Sequence, residues 1–359
     1  MKSQNKNNLG IKDIARKANV SIGTVDRVLH NRGEVSVTTR EKVLKIIQEL
    51  DYTPNILAQS LSSRKKHTIA ALIPDFKFDN PYWENSLTGI YKAAKEIRKF
   101  NFEMEVFTYE LGNELSMSLK AKEIFTSKPD GLILAPLMYE VSNQVIATCQ
   151  ELGMPYIFID VNIDDCDNLT YFGQNPIQSG AVAARLLDFG LPQDAEIHIL
   201  KLVNQSVSSY HLNLRESGFL SYFNSKQNIH PIISSEINIS SNTSLEKDFE
   251  RILNRTDSPK GIFIPNSRGY HVAKYLFESN QMNNCLICYD LIAENIEYLR
   301  KGTIQFLICQ NPEEQGYNSV MAFFNFLTYR RSFEKFNFSP IDIILKENID
   351  FYKSNVPVK

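Results

Sequence analysis

The sequence is poor in the residues that most often carry catalysis or metal chemistry. Six histidines are scattered along 359 residues, and Trp83 is the one tryptophan. Five cysteines (Cys149, Cys166, Cys285, Cys288, Cys309) are odd in number and widely spread, which argues against a disulfide framework. Cys285 and Cys288 form a C-x-x-C, but they overlap the apolar run Leu286-Ile287-Cys288-Tyr289 and no second pair or histidine cluster completes a site. Buried, reduced thiols are expected there, and no metal. G-x-S-x-G, H-E-x-x-H and a glycine-rich phosphate loop are all missing, so neither catalysis nor a cofactor is expected. No run approaches the ~20 apolar residues that span a bilayer. Residues 1–10 are polar and rich in Asn and Lys, without the apolar core of a secretion signal, so a cytoplasmic chain is expected.

What remains is globular: 43% hydrophobic and 22% charged, at a length that exceeds one ordinary domain. The net charge of −2 hides an asymmetry. Residues 1–66 carry 13 Lys/Arg against 6 Asp/Glu, and the remainder carries 26 against 35. A basic head on an acidic body assigns the head to a polyanion.

Within the head, Ile11, Ile14, Ala15 and Ala18 have the spacing of one helical face, and Asn19-Val20 breaks it. Ser21 is an N-cap for a second helix, Ile22 to His30, whose inward stripe is Val25, Val28 and Leu29. A third runs from about Thr38 to Leu50, with Val43, Leu44, Ile47 and Leu50 as its buried side. Two short helices joined by a tight turn, closed by a third, form a helix-turn-helix plan whose second helix enters the major groove.

The blocks Ile11-Lys12-Asp13-Ile14-Ala15, Val20 to Leu29 and Tyr52-Thr53-Pro54-Asn55, with their spacing, closely resemble the lac repressor family of bacterial regulators. That resemblance implies a homodimer on a pseudo-palindromic DNA operator. It implies DNA contacts from Ser21, Ile22, Gly23, Thr24, Arg27, Asn31 and Asn55, and a hinge helix containing Ala58, Gln59, Ser60 and Leu61. Leu61 matches the position whose leucine enters the minor groove at the operator centre. An apolar wedge of this kind unstacks a base step and bends the duplex toward more contacts. The sequence departs from the family where the recognition helix begins: Gly23 offers no side chain to a base, and Asp26 replaces a common Ser.

From residue 67 onward, short apolar runs alternate with helical patterns. The strands are Ile69–Ile73, Phe102–Tyr109, Leu132–Leu134, Tyr156–Ile159, Ile197–Leu200, Ile262–Ile264 and Leu286–Tyr289. This rhythm predicts βαβ units and parallel sheets covered on both faces. Its length calls for two lobes. Ligands bind outside the carboxyl ends of such strands, which singles out Asp75, Asp160, Asn266, Asp290 and Gln310. Polar groups gathered there suit a hydroxylated ligand, whose hydroxyls need partners once buried.

The body is similar to sugar-binding periplasmic proteins of the ribose-binding type. In that resemblance Asn80-Pro81-Tyr82-Trp83 matches the segment where an Asn bonds the sugar and aromatics stack on it, and Asp160, Arg215, Asn266, Asp290 and Gln310 match the other polar contacts. Ribose-binding relatives carry Arg directly after the strand-end Asp, where this chain has Val161.

The expected architecture is a small all-α helix-turn-helix head (1–53), a hinge helix and linker (54–66), and an α/β two-lobed, periplasmic-binding-protein-like body (67–359) with two doubly wound parallel sheets. One lobe is placed at about 67–172 and 303–330, the other at about 173–302 and 331–359, with crossovers near Gly173, Gly302 and Arg331. The expected function is a DNA-binding regulator, a repressor by default, controlled by a small polar effector of the sugar class. The alternatives are an activator or purine-type sensor on this scaffold, and a solute-binding protein without a transcriptional role.

Overall fold

The computed structural model describes residues 10–29, 33, 35–50, 66–76, 82–192, 195–203, 209–226, 230–239, 245–253 and 258–355. Among the described residues, three helices come first: α1 (Ile11–Ala18), α2 (Ile22–Leu29) and α3 (Val37–Glu49). Asn19, left-handed at φ 51°, stops α1, and Ser36 caps α3 by accepting the Thr39 amide. Ile14, Ala15, Ala18, Val25, Val28, Val43 and Ile46 make one small core. Here the sequence expectation needs one correction. Leu44 is 49% exposed and Ile46 is buried, because positions 43, 46, 47 and 50 complete the helical repeat and 44 falls outside it.

Among the described residues, the body is built on twelve strands. They are β1 (His67–Pro74), β2 (Phe102–Tyr109), β3 (Gly131–Leu134), β4 (Tyr156–Ile159), β5 (Tyr171–Gly173), β6 (Ile197–Val203), β7 (Ile232–Asn238), β8 (Gly261–Phe263), β9 (Cys285–Tyr289), β10 (Phe306–Cys309), β11 (Phe336–Phe338) and β12 (Asp342–Ile344). The helices between them are α4 (Tyr82–Ile97), α5 (Glu114–Ser127), α6 (Tyr139–Leu152), α7 (Pro176–Gly190), α8 (Tyr210–Asn224), α9 (Leu245–Leu253), α10 (Gly269–Glu278), α11 (Ala293–Lys301) and α12 (Pro312–Tyr329).

Two six-stranded sheets result, in the orders β11-β5-β4-β3-β1-β2 and β12-β10-β9-β8-β6-β7. The pairing is parallel except for β12, which runs antiparallel to β10. Helices cover both faces of each sheet, so central strands such as β3 and β4 are buried along their whole length.

The chain crosses between lobes three times, and two crossings differ from expectation. β10 belongs to the second sheet and β11 to the first, so the crossings fall at 174–175, 310–311 and 339–341. Gly302 instead ends α11 at φ 78°, and Arg330 ends α12 at φ 54°. A glycine at positive φ marks a helix end; it does not mark an exit from a lobe. Residues 331–335 lead into the first lobe's edge strand.

The crossings reveal a repeat that sequence reading missed. Gln174-Asn175-Pro176 leaves β5 and Gln310-Asn311-Pro312 leaves β10, each proline opening a helix. Four residues past each proline stands a glycine. A Cβ on Gly180 would overlap the Arg215 carbonyl of α8, and one on Gly316 the Ser86 carbonyl of α4. Each lobe thus packs the helix after its crossing tightly on the helix that follows its first strand.

Candidate functional site

Between the lobes lies a cleft of about 660 Å³ including its open mouth, lined from both sheets. It begins with two aspartates, one from each sheet, that turn the chain off a strand end in left-handed backbone: Asp160 after β4 (φ 66°) and Asp290 after β9 (φ 72°). The Tyr82 hydroxyl, from the first turn of α4, donates to Asp160 Oδ1 at 2.7 Å. The Asp160 amide donates to Gln315 Oε1 at 3.0 Å, and Gln315 Nε2 donates to the Gln310 carbonyl at 2.8 Å. Gln310 Nε2 then reaches both Asp290 oxygens at 2.9 and 3.0 Å, while its Oε1 accepts from Arg215. One hydrogen-bonded chain runs from the first lobe, through a crossing, into the second.

Arg215 is held from several sides. Its Nη1 donates to the Pro265 carbonyl at 2.7 Å, and its guanidinium lies 4.0 Å from the centre of the Tyr289 ring. Asn266 donates to the Leu202 carbonyl at 2.8 Å and accepts the Arg268 amide at 3.1 Å. Such fixed side chains present a preorganised polar wall.

Removal from water sets the charge states. Burial lifts Asp290 to about 7 against the pull of Arg215, and burial raises Asp160 while Tyr82 and Arg215 oppose it. His211 moves down to about 3, chiefly through burial and then through the positive charges of Arg215 and Arg268. It is therefore a neutral imidazole at physiological pH.

The structure brings together Tyr82, Trp83, Asp160, Arg215, Asn266, Asp290 and Gln310 of the residues singled out from sequence. Asp75 is not among the lining residues. Its amide donates to the Tyr109 carbonyl at 2.7 Å, which continues the β1–β2 ladder and keeps it beside the edge strand. Asn80 lies outside the described residues. Val161 is buried in the first lobe's core, so the side chain after Asp160 serves packing. Ser209, His211, Ser267 and Arg268 line the cleft and were missed. His211 was findable: it stands one helical turn before Arg215 on α8.

On the head, Ser21 accepts the Thr24 amide at 3.0 Å and shares a hydrogen bond with the Thr24 hydroxyl at 2.9 Å, fixing the start of α2. Ile22, Gly23 and Arg27 are exposed on the side away from the core, and Thr24 is half-buried. Asn31, Asn55, Ala58, Gln59 and Leu61 lie outside the described residues.

The C-x-x-C of β9 splits across its sheet: Cys288 is buried in one core and Cys285 packs against the other, so the two thiols face apart. All five cysteines are free, and among the described residues no three His, Cys, Asp or Glu form a metal-holding group. Among those residues no helix is long and apolar enough to cross a membrane.

Two family models match the chain. The bacterial regulatory proteins of the lacI family match residues 10–55, and the periplasmic binding protein domain matches residues 70–330. A solved chain assigned as a LacI transcriptional regulator from Bacteroides fragilis is 31% identical with a TM-score of 0.75, covering 80% of this chain and all of its own. The HTH-type transcriptional regulator RegA of Clostridium acetobutylicum is 52% identical over 44% of this chain and 45% of its own. The sucrose operon repressor of Staphylococcus xylosus is 29% identical over 49% of this chain and 52% of its own. The chain spans about half the length of the first curated relatives it matches. With a helix-turn-helix head at 10–55 and a two-lobed binding domain behind it, the chain belongs to the lacI family of bacterial regulatory proteins.

Proposed function

We propose that this chain is a cytoplasmic, sequence-specific DNA-binding regulator, by default a repressor, whose operator affinity is set by a small polar effector held between the lobes. It binds and does not catalyse. The observation that carries the reading is the cleft itself: polar side chains from both lobes and a crossing converge on one cavity, Asp160 and Tyr82 from one side, Asn266, Arg215 and Asp290 from the other. A ligand touching both walls favours one lobe angle over another, which is the differential affinity that control of DNA binding requires.

The side chains that would meet the ligand are Tyr82, Trp83, Asp160, Arg215, Asn266, Asp290 and Gln310, with a sugar as the class that suits them. Ser21, Ile22, Thr24 and Arg27 would meet the duplex, along with the hinge segment that contains Leu61. The sucrose operon repressor among the relatives supports the sugar class. A homodimer on a pseudo-palindromic site is what the resemblance to lac repressor relatives implies, each chain supplying one recognition helix to a half-site.

The test selects duplexes from a random library with the full chain, then titrates the winner by anisotropy with and without sugars. A two-fold-symmetric consensus whose affinity shifts with a sugar supports the proposal. Retention of the library without sequence enrichment would sink it. Leu61→Ala should weaken the selected duplex far more than a scrambled one; equal losses would exclude a wedge.

A further inference from the structure

The two lobes are also bonded to each other by side chains outside the crossings. Tyr210 is the first residue of α8 in the second lobe, and Asp164 follows β4 in the first. The Tyr210 hydroxyl donates to Asp164 Oδ2 at 2.9 Å. Ser209 and His211, the chain neighbours of Tyr210, line the cleft, and so does Asp160, four residues before Asp164. Tyr210 and Asp164 are not lining residues and both reach solvent, which puts their bond at the rim of the cleft.

This contact is prepared on both sides. Asn162 Nδ2 donates to the other oxygen of Asp164, Oδ1, at 2.9 Å and so orients the carboxylate. Left-handed backbone at Asp160 (φ 66°) and Asp165 (φ 58°) shapes the turn that carries it. From the second lobe, tyrosine brings its hydroxyl on two torsions and loses little side-chain entropy. The Asp164 bond, then partial burial, then Tyr139 at the start of α6 raise the Tyr210 hydroxyl above its ordinary range. A second first-lobe side chain therefore stands beside it.

We propose that Tyr210 and Asp164 form a clasp across the cleft mouth, which biases the lobes toward the closed angle independently of ligand and which an effector must release to enter or leave. An O–H···O⁻ bond gains from the carboxylate charge, and exposure to water limits that gain. The balance shifts an open-to-closed ratio by about two- to fivefold. Such a clasp slows effector association, because entry waits on opening. It also reduces the preference that the effector itself must supply to close the lobes. The inference needs the two lobes and their crossings, and not the identity of the effector.

Trp83 reports the lobe angle without any ligand. It is the one tryptophan, it is 2% exposed, and it lines the cleft. Acrylamide quenching of its emission in the full chain therefore follows opening. Tyr210→Phe keeps the ring and removes the donor, and Asp164→Ala removes the acceptor. Each should raise the quenching constant by about two- to fivefold. The double variant should rise no further than either single one, because both substitutions remove the same bond. Parental quenching in either single variant overturns the clasp, since opening then does not depend on the bond. Effects that multiply in the double variant overturn it as well, because each side chain would then act alone.

Discussion

Asp290 sits at a strand end, out of water, with Gln310 Nε2 against both its oxygens and the Arg215 charge beyond. Its carboxyl is raised to about 7 in the fold, burial outweighing Arg215. In the unfolded chain an Asp titrates near ~4. Between those values the folded chain keeps a proton that the unfolded chain gives up, so this group's share of stability is lost as pH rises through the window. Asp290→Asn should gain on the parent by up to about 1.4 kcal/mol per pH unit across it. Urea unfolding of both proteins at about pH 4.5 and about pH 7.5 reads the difference; a gap that stays constant would mean Asp290 is ionised throughout. At this scale much of the site was legible. Asp160, Asn266, Asp290 and Gln310 follow apolar runs, and the strand-end rule points at such positions. Arg268 was hidden because it stands at the start of a helix, where a polar side chain ordinarily faces solvent.

The pairing of α7 with α8 decides where Arg215 stands. Gly180 lets the two backbones touch, and any side chain there meets the Arg215 carbonyl. Gly180→Ala should cost about 1–3 kcal/mol as an overpacked contact and loosen ligand affinity through displacement of Arg215. Gly190→Ala is the control: it ends the same helix with open space around it. It should be neutral or stabilise by up to about 1 kcal/mol. Chemical denaturation of both variants checks the pair, and equal losses would refute the close-approach argument. In the head, Ser21→Ala removes the acceptor for the Thr24 amide. A lost cap of about 1 kcal/mol should lower the head's melting and operator affinity while leaving body unfolding unchanged. Elements were read well where burial is complete, as in β4, whose bounds match its apolar run. They were read badly in β11, three residues with Phe336 and Phe338 half exposed, because an edge strand lacks the two-sided burial that gives a run its signature.

The molecule's two lobes are joined by the three crossings, and one buried side chain bonds across those crossings. Gln174 Nε2 donates to the Cys309 carbonyl and to the Pro340 carbonyl, both at 3.0 Å, while the Ser339 amide donates to the Gly173 carbonyl at 2.7 Å. This hub was invisible from sequence because the crossings were misplaced: with the second at Gly302 and the third at Arg331, Gln174 has nothing to join. In the fold it sits where any change of lobe angle must shear its bonds. Gln174→Ala leaves two buried carbonyls without their donor, which should cost about 1–3 kcal/mol of folding stability. A second effect separates a hub from ordinary packing. If lobe angle carries the effector's message, the ratio of operator affinities with and without effector is a coupling free energy. Residues between two coupled sites change such a ratio by about 0.5–2 kcal/mol. Gln174→Ala should therefore shrink the effector's influence on operator affinity by about two- to thirtyfold, with the effector-free affinity little altered. Anisotropy titrations of the selected operator, with the effector absent and saturating, give the ratio directly. A variant that is less stable yet keeps the parent ratio would show that Gln174 only holds the crossings together, and that the lobes communicate with the head by another route.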